Sequence, residues 1–350
     1  MTIVVIGAGA IGQLVAGRLA QAGQRTVLLA RPAAAAALAR QPLQISESGR
    51  LHVAESLVTI SDPSMLAAAD RPPDLAIVCV KGYDTASVLP ALDALAPSAV
   101  LTLQNGIGNE ELLAMHVGAG RVVSGAITTS VEVAAPGRIA VAKAGGVGVA
   151  AMAPGARAAA GRAAQAFRAA GFVVSEVADY RALKWSKALL NMLGNATAAI
   201  LDMAVADAGV NPQLIALERQ AFREALGRSG RPAIRPINLP RYPAALLARY
   251  ALHAAATAIP DLAASVAGGR GRKPPAAAST RRAAVHVRRA NFLYGAVARA
   301  AAEAGLAAPV NRALSAILQA ISSGAEPWDV YRRHPERLLA EVAATRGVAE

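Results

Sequence analysis

The sequence of 350 residues has one cysteine, Cys79, and few aromatic side chains, which make up 3% of it. A single cysteine excludes a disulfide within the chain, and its place in an apolar run indicates a packing role. So few aromatics cannot form a platform on which nucleic-acid bases stack. No apolar run reaches the roughly 20 uncharged residues of a membrane-spanning helix, and no secretory leader pattern is present. We therefore expect a cytoplasmic protein without a membrane partner.

Acidic residues are also scarce, since 23 Asp and Glu stand against 36 Lys and Arg and give a formal net charge of +13. Such a balance is found in nucleic-acid-associated proteins, which is one alternative for this chain. The arginines are spread along the chain, however, and no nucleic-acid recognition motif or metal-ligand motif accompanies them. We expect neither a nucleic-acid partner nor a metal site. The length favours two domains.

The strongest motif lies in the first dozen residues. Residues 2–6 form an apolar, β-branched run that predicts a buried parallel strand, and residues 13–22 have helical periodicity. Between them lies a G-x-G-x-x-G pattern, in which the glycines allow a tight turn, admit a pyrophosphate and let the helix pack closely. The N-terminus of that helix attracts phosphate. The alternative is a βα unit that binds no phosphate. The predicted cofactor-binding residues are Gly7, Ala8, Gly9, Ala10, Ile11 and Gly12.

The residue after the second predicted strand selects the cofactor. An NAD enzyme usually has Asp or Glu about 20 residues after the glycine loop, where it holds the ribose 2′-hydroxyl. This chain has Arg31 there. A guanidinium pairs with a 2′-phosphate, so we predict NADP(H) rather than NAD(H). The alternative is a solvated arginine at a strand end.

Strands and helices alternate up to about residue 178, which predicts an α/β domain with a doubly wound, Rossmann-type sheet. Lys81 and Asn105 follow two further apolar runs, so they are expected at carboxyl ends of strands, where such sheets bind ligands. Segments between residues 122 and 152 predict antiparallel or mixed strands that complete the same sheet. Strand patterns nearly vanish after residue 179. We therefore expect an NADP-binding domain over residues 1–178 and an all-α domain over residues 179–350.

The predicted helix over residues 180–201 carries Lys187, Asn191 and Asn195. Their spacing of i, i+4 and i+8 places them on one helix face. A polar line on a largely apolar helix is costly unless it meets water, polar partners or a ligand. The alternatives to a ligand site are a solvated stripe and amides that bond to neighbouring helices.

Together, these motifs and their order resemble the ketopantoate reductase (2-dehydropantoate 2-reductase) family. The resemblance runs from residue 1 to about 203 and resumes near residues 295–311. It implies NADPH-dependent reduction of a 2-oxo acid to a 2-hydroxy acid, with a small-molecule substrate and a homodimeric enzyme. It also implies that the second domain is similar to the C-terminal domain of 6-phosphogluconate dehydrogenase and serves for substrate binding and dimerisation.

The resemblance implies a role for each matching residue. Lys187 is the general acid, and Asn105 contacts both cofactor and substrate. Asn191 and Asn195 hold the hydroxyl and carboxylate of the substrate. The residues on the adenosine-phosphate side of NADP(H) are Arg31 and Lys81.

Three departures from the family's pattern put the substrate in doubt. Ala196 replaces a proline, and Arg288 and Arg289 stand where the family has a Thr-Glu pair whose carboxylate contacts the cofactor. The chain is also longer between residues 228 and 275. These departures leave two alternatives to ketopantoate reduction: a family member that acts on another oxo substrate, and a non-catalytic NADP(H)-binding regulator.

Overall fold

The structure, a computed structural model, describes residues 1–192, 194–227, 235–246, 248 and 293–347. The chain divides into two compact units. The first unit contains Met1–Lys184 and Asn238–Pro243, and the second contains Trp185–Ile237 and Ala244–Glu350. The domain boundary predicted after residue 178 lies six residues before this division.

The first unit is built on an eight-stranded sheet with strand order β12-β11-β8-β7-β6-β1-β2-β5, and a smaller sheet has the order β4-β3-β10-β9. Neighbours in the large sheet run parallel, except for the antiparallel pair of β8 and β11. The strands are β1 (Thr2–Ile6), β2 (Arg25–Leu29), β3 (Leu43–Glu47), β4 (Arg50–Ala54), β5 (Val58–Ile60), β6 (Leu75–Val78), β7 (Val100–Thr102), β8 (Val122–Ile127), β9 (Ser130–Ala135), β10 (Arg138–Lys143), β11 (Gly146–Ala151) and β12 (Val173–Glu176).

Helices cover both faces of the large sheet, as the doubly wound prediction requires. They are α1 (Ala10–Gln21), α2 (Pro32–Arg40), α3 (Leu89–Leu95), α4 (Asn109–Val117) and α5 (Arg157–Ala169). Successive side chains of β1 point to opposite faces, so Ile3 and Val5 enter one apolar core while Val4 and Ile6 enter the other. A strand buried on both faces needs a continuous apolar run, which is the pattern of residues 2–6.

Cys79 follows β6 and packs against the first of these cores. Burial raises the pKa of its thiol to about 12, so the sulfur stays protonated at neutral pH. A protonated, packed thiol is consistent with a structural role for this cysteine.

The smaller sheet corrects one prediction. Strands β9 and β10 were expected to complete the large sheet, but β10 pairs in parallel with β3 and antiparallel with β9. The hairpin of β3 and β4 turns through Ser48 and Gly49, whose φ angles are 50° and 77°. Apolar alternation identifies strands but carries no information on which strand pairs with which, and that is why the sheet assignment failed.

The second unit is helical over its described residues. Its elements include α7 (Asn195–Leu201), α8 (Val205–Ala208), α9 (Pro212–Leu226), α10 (293–303), α11 (Pro309–Ser323) and α12 (Pro335–Gly347). The helix α6 (Tyr180–Met192) contributes residues to both units. Among the described residues, no helix is long and apolar enough to cross a membrane.

The predicted single helix over residues 180–201 is interrupted. The helix α6 ends at Met192, and α7 begins at Asn195 after Gly194, which adopts a left-handed conformation with φ of 71°. Glycine takes this conformation without the steric cost that a Cβ would impose, so it ends one helix and starts the next. Lys187 and Asn191 therefore lie on α6, whereas Asn195 is the first residue of α7.

The carboxyl group of Glu218, on α9, stabilises this break. Thr197 Oγ1 donates to Glu218 Oε1 at 2.8 Å, and the backbone N–H of Gly194 also donates to the carboxyl group. The hydroxyl of Tyr294 donates to the Met192 carbonyl oxygen at 2.5 Å and lies 3.4 Å from Glu218 Oε2. Burial raises the pKa of Glu218, although these hydrogen bonds oppose the rise.

The close approach of α1 to the loop before it predicts the effect of Gly12→Ala. An ideal Cβ on Gly12 would lie 1.8 Å from the Gly7 carbonyl oxygen. We expect the variant to lose at least about 3 kcal/mol of unfolding free energy in urea denaturation, because backbone cannot move aside as a side chain can. Gly161→Ala is the control, since nothing lies within 4 Å of its Cβ inside α5. It should gain about 0.5–1 kcal/mol. Equal stability of the Gly12→Ala and wild-type proteins would contradict the contact.

The raised pKa of Glu218 predicts a pH-dependent stability. The folded protein keeps the proton of Glu218 at pH values above the unfolded-state pKa of about 4.3. The stability that this proton adds to the folded state is therefore complete below that pH and is lost as the pH rises through the folded-state pKa of Glu218. Urea unfolding of wild type and Glu218→Gln between pH of about 5 and 8 should show wild type losing stability relative to the variant.

The matched control for this measurement is Asp62→Asn. Hydrogen bonds from the hydroxyl and the backbone N–H of Ser64 lower the pKa of Asp62, so its contribution changes only in more acidic solution. The difference between wild type and this variant should be flat over the same range. A flat difference for Glu218→Gln as well would show that its proton is not coupled to folding.

Candidate active site

The loops that carry the predicted cofactor residues lie side by side at one edge of the large sheet, which we call the carboxyl edge. Ile6 pairs with Leu29 on one side and with Val78 on the other, and Val78 pairs with Thr102. These residues end β1, β2, β6 and β7, so the four segments that follow begin at the same level of the sheet. The predicted residues on these segments are Gly7–Gly12, Arg31, Lys81 and Asn105.

Each glycine of the loop lies in different surroundings. Gly7 has φ of 109°, and a Cβ there would lie 2.8 Å from Val80 Cγ1. Gly12 abuts the Gly7 carbonyl. Gly9, by contrast, has extended backbone, and its ideal Cβ would meet no atom within 4 Å. Space is therefore open over Gly9, and a side chain there would project into it.

The helix that follows supplies hydrogen-bond donors at the carboxyl edge. Its first bond runs from the Gln13 N–H to the Gly9 carbonyl oxygen at 2.9 Å, so the N–H groups of residues 10–12 have no partner within the helix. The Gln13 side chain donates to the Ala8 carbonyl oxygen at 2.8 Å and thereby ties the glycine loop to α1. An anion above Gly9 would meet these donors and the positive end of the α1 dipole.

Arg31 and Lys81 place two positive side chains at the same edge. Arg31 is the residue before α2, and Lys81 precedes a 3-10 helical segment, Gly82–Val88. Both residues are exposed. Their charges favour an anionic ligand at the carboxyl edge.

Gln104 ties the loop of Asn105 to the loop of Lys81. Its Nε2 donates to Thr85 Oγ1 at 2.8 Å and lies 3.3 Å from the Lys81 carbonyl oxygen. Asn109 Nδ2 donates to the Asn105 carbonyl oxygen at 3.2 Å, and the Thr85 hydroxyl lies 3.0 Å from Asn109 Oδ1. Gln104, Thr85 and Asn109 are buried, whereas Lys81 and Asn105 are exposed. A buried polar network thus supports two exposed candidate residues.

A buried ion pair completes this network within the first unit. The Lys184 ammonium donates to the carbonyl oxygen of Gln104 and lies 3.0 Å from Glu110 Oε1. The hydroxyl of Ser124 donates to the same carboxylate oxygen at 2.9 Å. The side chains of Lys184 and Glu110 are only 4% and 1% exposed. Both charges are therefore compensated inside the protein rather than by water.

The second unit carries the other predicted residues. Lys187 and Asn191 lie one turn apart on α6, and both are half-buried. The Asn195 Nδ2 donates to the Asn191 carbonyl oxygen, which bridges the break between α6 and α7. The two asparagines are therefore close together, and the Asn195 amide is oriented by the backbone of α6.

Sequence reasoning missed the supporting network. The sequence motifs assign no role to Gln104, Lys184 or Glu110. A signal was available, because Lys184 lies three residues before Lys187 in an otherwise apolar stretch and a buried lysine requires a partner. The residues Arg288 and Arg289, and most of the longer segment between 228 and 275, lie outside the described residues.

The sequence and the fold of this chain are similar to those of known proteins. A family model described as Ketopantoate reductase PanE/ApbA matches residues 3–154. The 2-dehydropantoate 2-reductase of Halobacterium salinarum is 34% identical over 206 residues, which are 58% of this chain and 66% of that protein. The 2-dehydropantoate 2-reductase of Pyrococcus horikoshii is 30% identical over 225 residues, which are 64% of this chain and 72% of that protein.

Solved structures match over nearly the whole chain. A PanE/ApbA family ketopantoate reductase from Ralstonia eutropha is 26% identical, with a TM-score of 0.72, and the match covers 93% of this chain and 99% of that one. A D-mandelate dehydrogenase solved with NADH and anilino(oxo)acetate is 20% identical, with a TM-score of 0.69 and coverage of 93% and 99%. These neighbours confirm the predicted fold class of a Rossmann-type sheet followed by a helical region. With 30% identity across 72% of a curated 2-dehydropantoate 2-reductase, this chain belongs to the ketopantoate reductase family of oxidoreductases, as its motifs predict.

Proposed function

We propose that this protein reduces a 2-oxo acid to a 2-hydroxy acid with NADPH, in the manner of 2-dehydropantoate reduction, with Lys187 as the general acid. Family membership supports the reaction class. The proposal depends on the observation that the chain carries two sets of groups: an open glycine loop in the first unit, and a half-buried lysine with two neighbouring asparagines in the second. These are the groups that such a reduction requires: a phosphate cradle, a proton donor and polar contacts for the substrate.

The first unit fits a dinucleotide. The space over Gly9 is the kind of cradle that a Cβ would fill, and the N–H groups at the start of α1 face it. A pyrophosphate there would be bound by backbone donors. Arg31, at the end of β2, would bind the 2′-phosphate of NADPH, and Lys81 would add a second positive charge. Asn105, exposed on its anchored loop, would contact the cofactor and the substrate.

Lys187 supplies the proton in this proposal. Bound NADPH provides a hydride to the carbonyl carbon of the substrate. Negative charge then develops on the carbonyl oxygen, where an ammonium stabilises it by a hydrogen bond and afterwards donates its proton. The ordinary pKa of a lysine side chain in water is about 10.4, so lysine offers the acid form at neutral pH.

Asn191 and Asn195 bind the rest of the substrate in this proposal. A carboxamide can donate to a carboxylate and can also accept from a hydroxyl, so two adjacent amides suit a hydroxy acid product. The bond from Asn195 to the Asn191 carbonyl restricts the Asn195 rotamer. A restricted side chain loses less conformational entropy when it binds a substrate.

The assignment of Lys187 predicts the behaviour of three variants toward a panel of 2-oxo acids, followed by the absorbance of the reduced nicotinamide. Lys187→Ala should lower kcat by on the order of 10²-fold or more while the Kd for NADPH changes little. Lys187→Arg should stay slow, because a guanidinium keeps its charge but is a poor proton donor. Lys143→Ala, on β10, is the control and should match wild type.

The panel also separates the rival functions. Turnover of some 2-oxo acid by wild type supports the reductase. Tight NADPH binding without turnover of any member would favour a regulator instead. Wild-type turnover in Lys187→Ala would remove this lysine as the acid even if the reaction class is right.

The position of Arg31 predicts cofactor preference. Arg31→Ala should weaken NADPH binding by roughly 10- to 100-fold, which is the effect of losing a charge-assisted bond to the 2′-phosphate, and should change NADH binding little. Arg40→Ala, at the other end of α2, is a matched control of the same charge change. Titration of each protein with both cofactors measures the ratio. Equal losses for NADPH and NADH in Arg31→Ala would show that this residue does not bind the 2′-phosphate.

A further inference from the structure

Asn105 is held from both sides by side-chain donors. The carbonyl oxygen of Gln104, in the peptide before Asn105, accepts from the Lys184 ammonium. The carbonyl oxygen of Asn105 itself accepts from Asn109 Nδ2 at 3.2 Å. Both peptide planes that flank the Asn105 Cα are therefore fixed, while its side chain remains exposed.

The loop needs such a restraint because of its glycines. Gly106 and Gly108 follow Asn105 with φ angles of 96° and 100°. Glycine populates many conformations of similar energy, so these residues do not by themselves select one path for the chain. The two donors that hold the peptides next to Asn105 limit that freedom.

The ion pair behind the loop is better suited to orientation than to stability. Removing two charges from water offsets most of their attraction, so a buried pair adds little to stability compared with apolar residues of the same volume. Lys184 nevertheless lies 3.0 Å from Glu110, and both are almost completely buried. What an apolar pair could not do is donate a charged hydrogen bond to the Gln104 carbonyl oxygen.

We infer that Lys184 and Glu110 are positioning residues: Lys184 orients Asn105 through the Gln104 peptide, and Glu110, with Ser124, holds the ammonium in place. The role of Asn105 rests on the proposed function. The restraint on the loop does not, because it follows from contacts within the first unit. The two parts can therefore be tested separately.

The test variant is the double substitution Lys184→Met and Glu110→Gln. It removes both charges together and keeps similar volumes, whereas either single change would leave the other charge buried without its partner. The matched control is Arg25→Gln with Asp70→Asn. That pair joins the first residue of β2 to a buried carboxylate, with contacts of 2.9 and 2.8 Å at the opposite end of β2 from the carboxyl edge.

Two measurements are made on each full-length protein: amide hydrogen exchange of residues 104–109, and kcat/KM for the best 2-oxo acid. For the test variant we expect exchange of the loop to accelerate by about tenfold or more, and kcat/KM to fall by about tenfold or more. The control should keep wild-type values in both, even if its melting temperature falls.

Several outcomes would overturn the inference. Wild-type exchange of the loop in the test variant would show that the ion pair does not restrain it. Equal losses of kcat/KM in test and control variants would reduce the ion pair to a general structural role. If wild type reduces no 2-oxo acid, the proposed function fails on that result, while loop exchange still decides whether Lys184 restrains the loop.

Discussion

The contact between the start of α1 and the turn after β1 is the constraint on which the carboxyl edge of the first unit depends. With a Cβ on Gly12 placed 1.8 Å from the Gly7 carbonyl oxygen, the helix can begin at this height only if residue 12 is glycine. The height of the helix determines where its unpaired N–H groups lie. Because they lie at the carboxyl edge, the sheet presents donors rather than side chains to whatever binds above Gly9. The anion-binding character of this edge is thus a consequence of packing.

The buried polar network holds the loops at the carboxyl edge in place. Strands that are largely apolar on both faces have few polar side chains with which to hold the loops that follow them. Gln104, Thr85 and Asn109 supply those bonds from the loops and the segments after them, and Lys184 supplies one from α6. The loops that carry the exposed candidate residues are therefore held by hydrogen bonds from buried side chains. This arrangement keeps the loops ordered without placing bulky side chains where a ligand would lie.

Much of the fold could be predicted from local patterns. The run at residues 2–6 and the glycines after it gave β1 and α1, because burial on both faces and close backbone approach each demand particular residue types. The pairing of β10 with β3 could not be predicted, since it depends on tertiary contacts that alternation does not encode. The break at Gly194 was missed for another reason: a single glycine within a helical pattern is tolerated often enough to carry little information. The ion pair of Lys184 and Glu110 joins residues that are far apart in sequence, so it could not be predicted without the tertiary structure.

Two lysines one turn apart on α6 illustrate how environment assigns different chemistry to the same side chain. Lys184 is 4% exposed, and its ammonium is held by a carboxylate and a carbonyl oxygen inside the first unit. Lys187, in the second unit, is half-buried. A general acid must contact its substrate, and a side chain enclosed among protein partners leaves no room for that contact. The difference in burial therefore makes Lys187 the better candidate of the two for the proposed role of proton donor, independently of any motif.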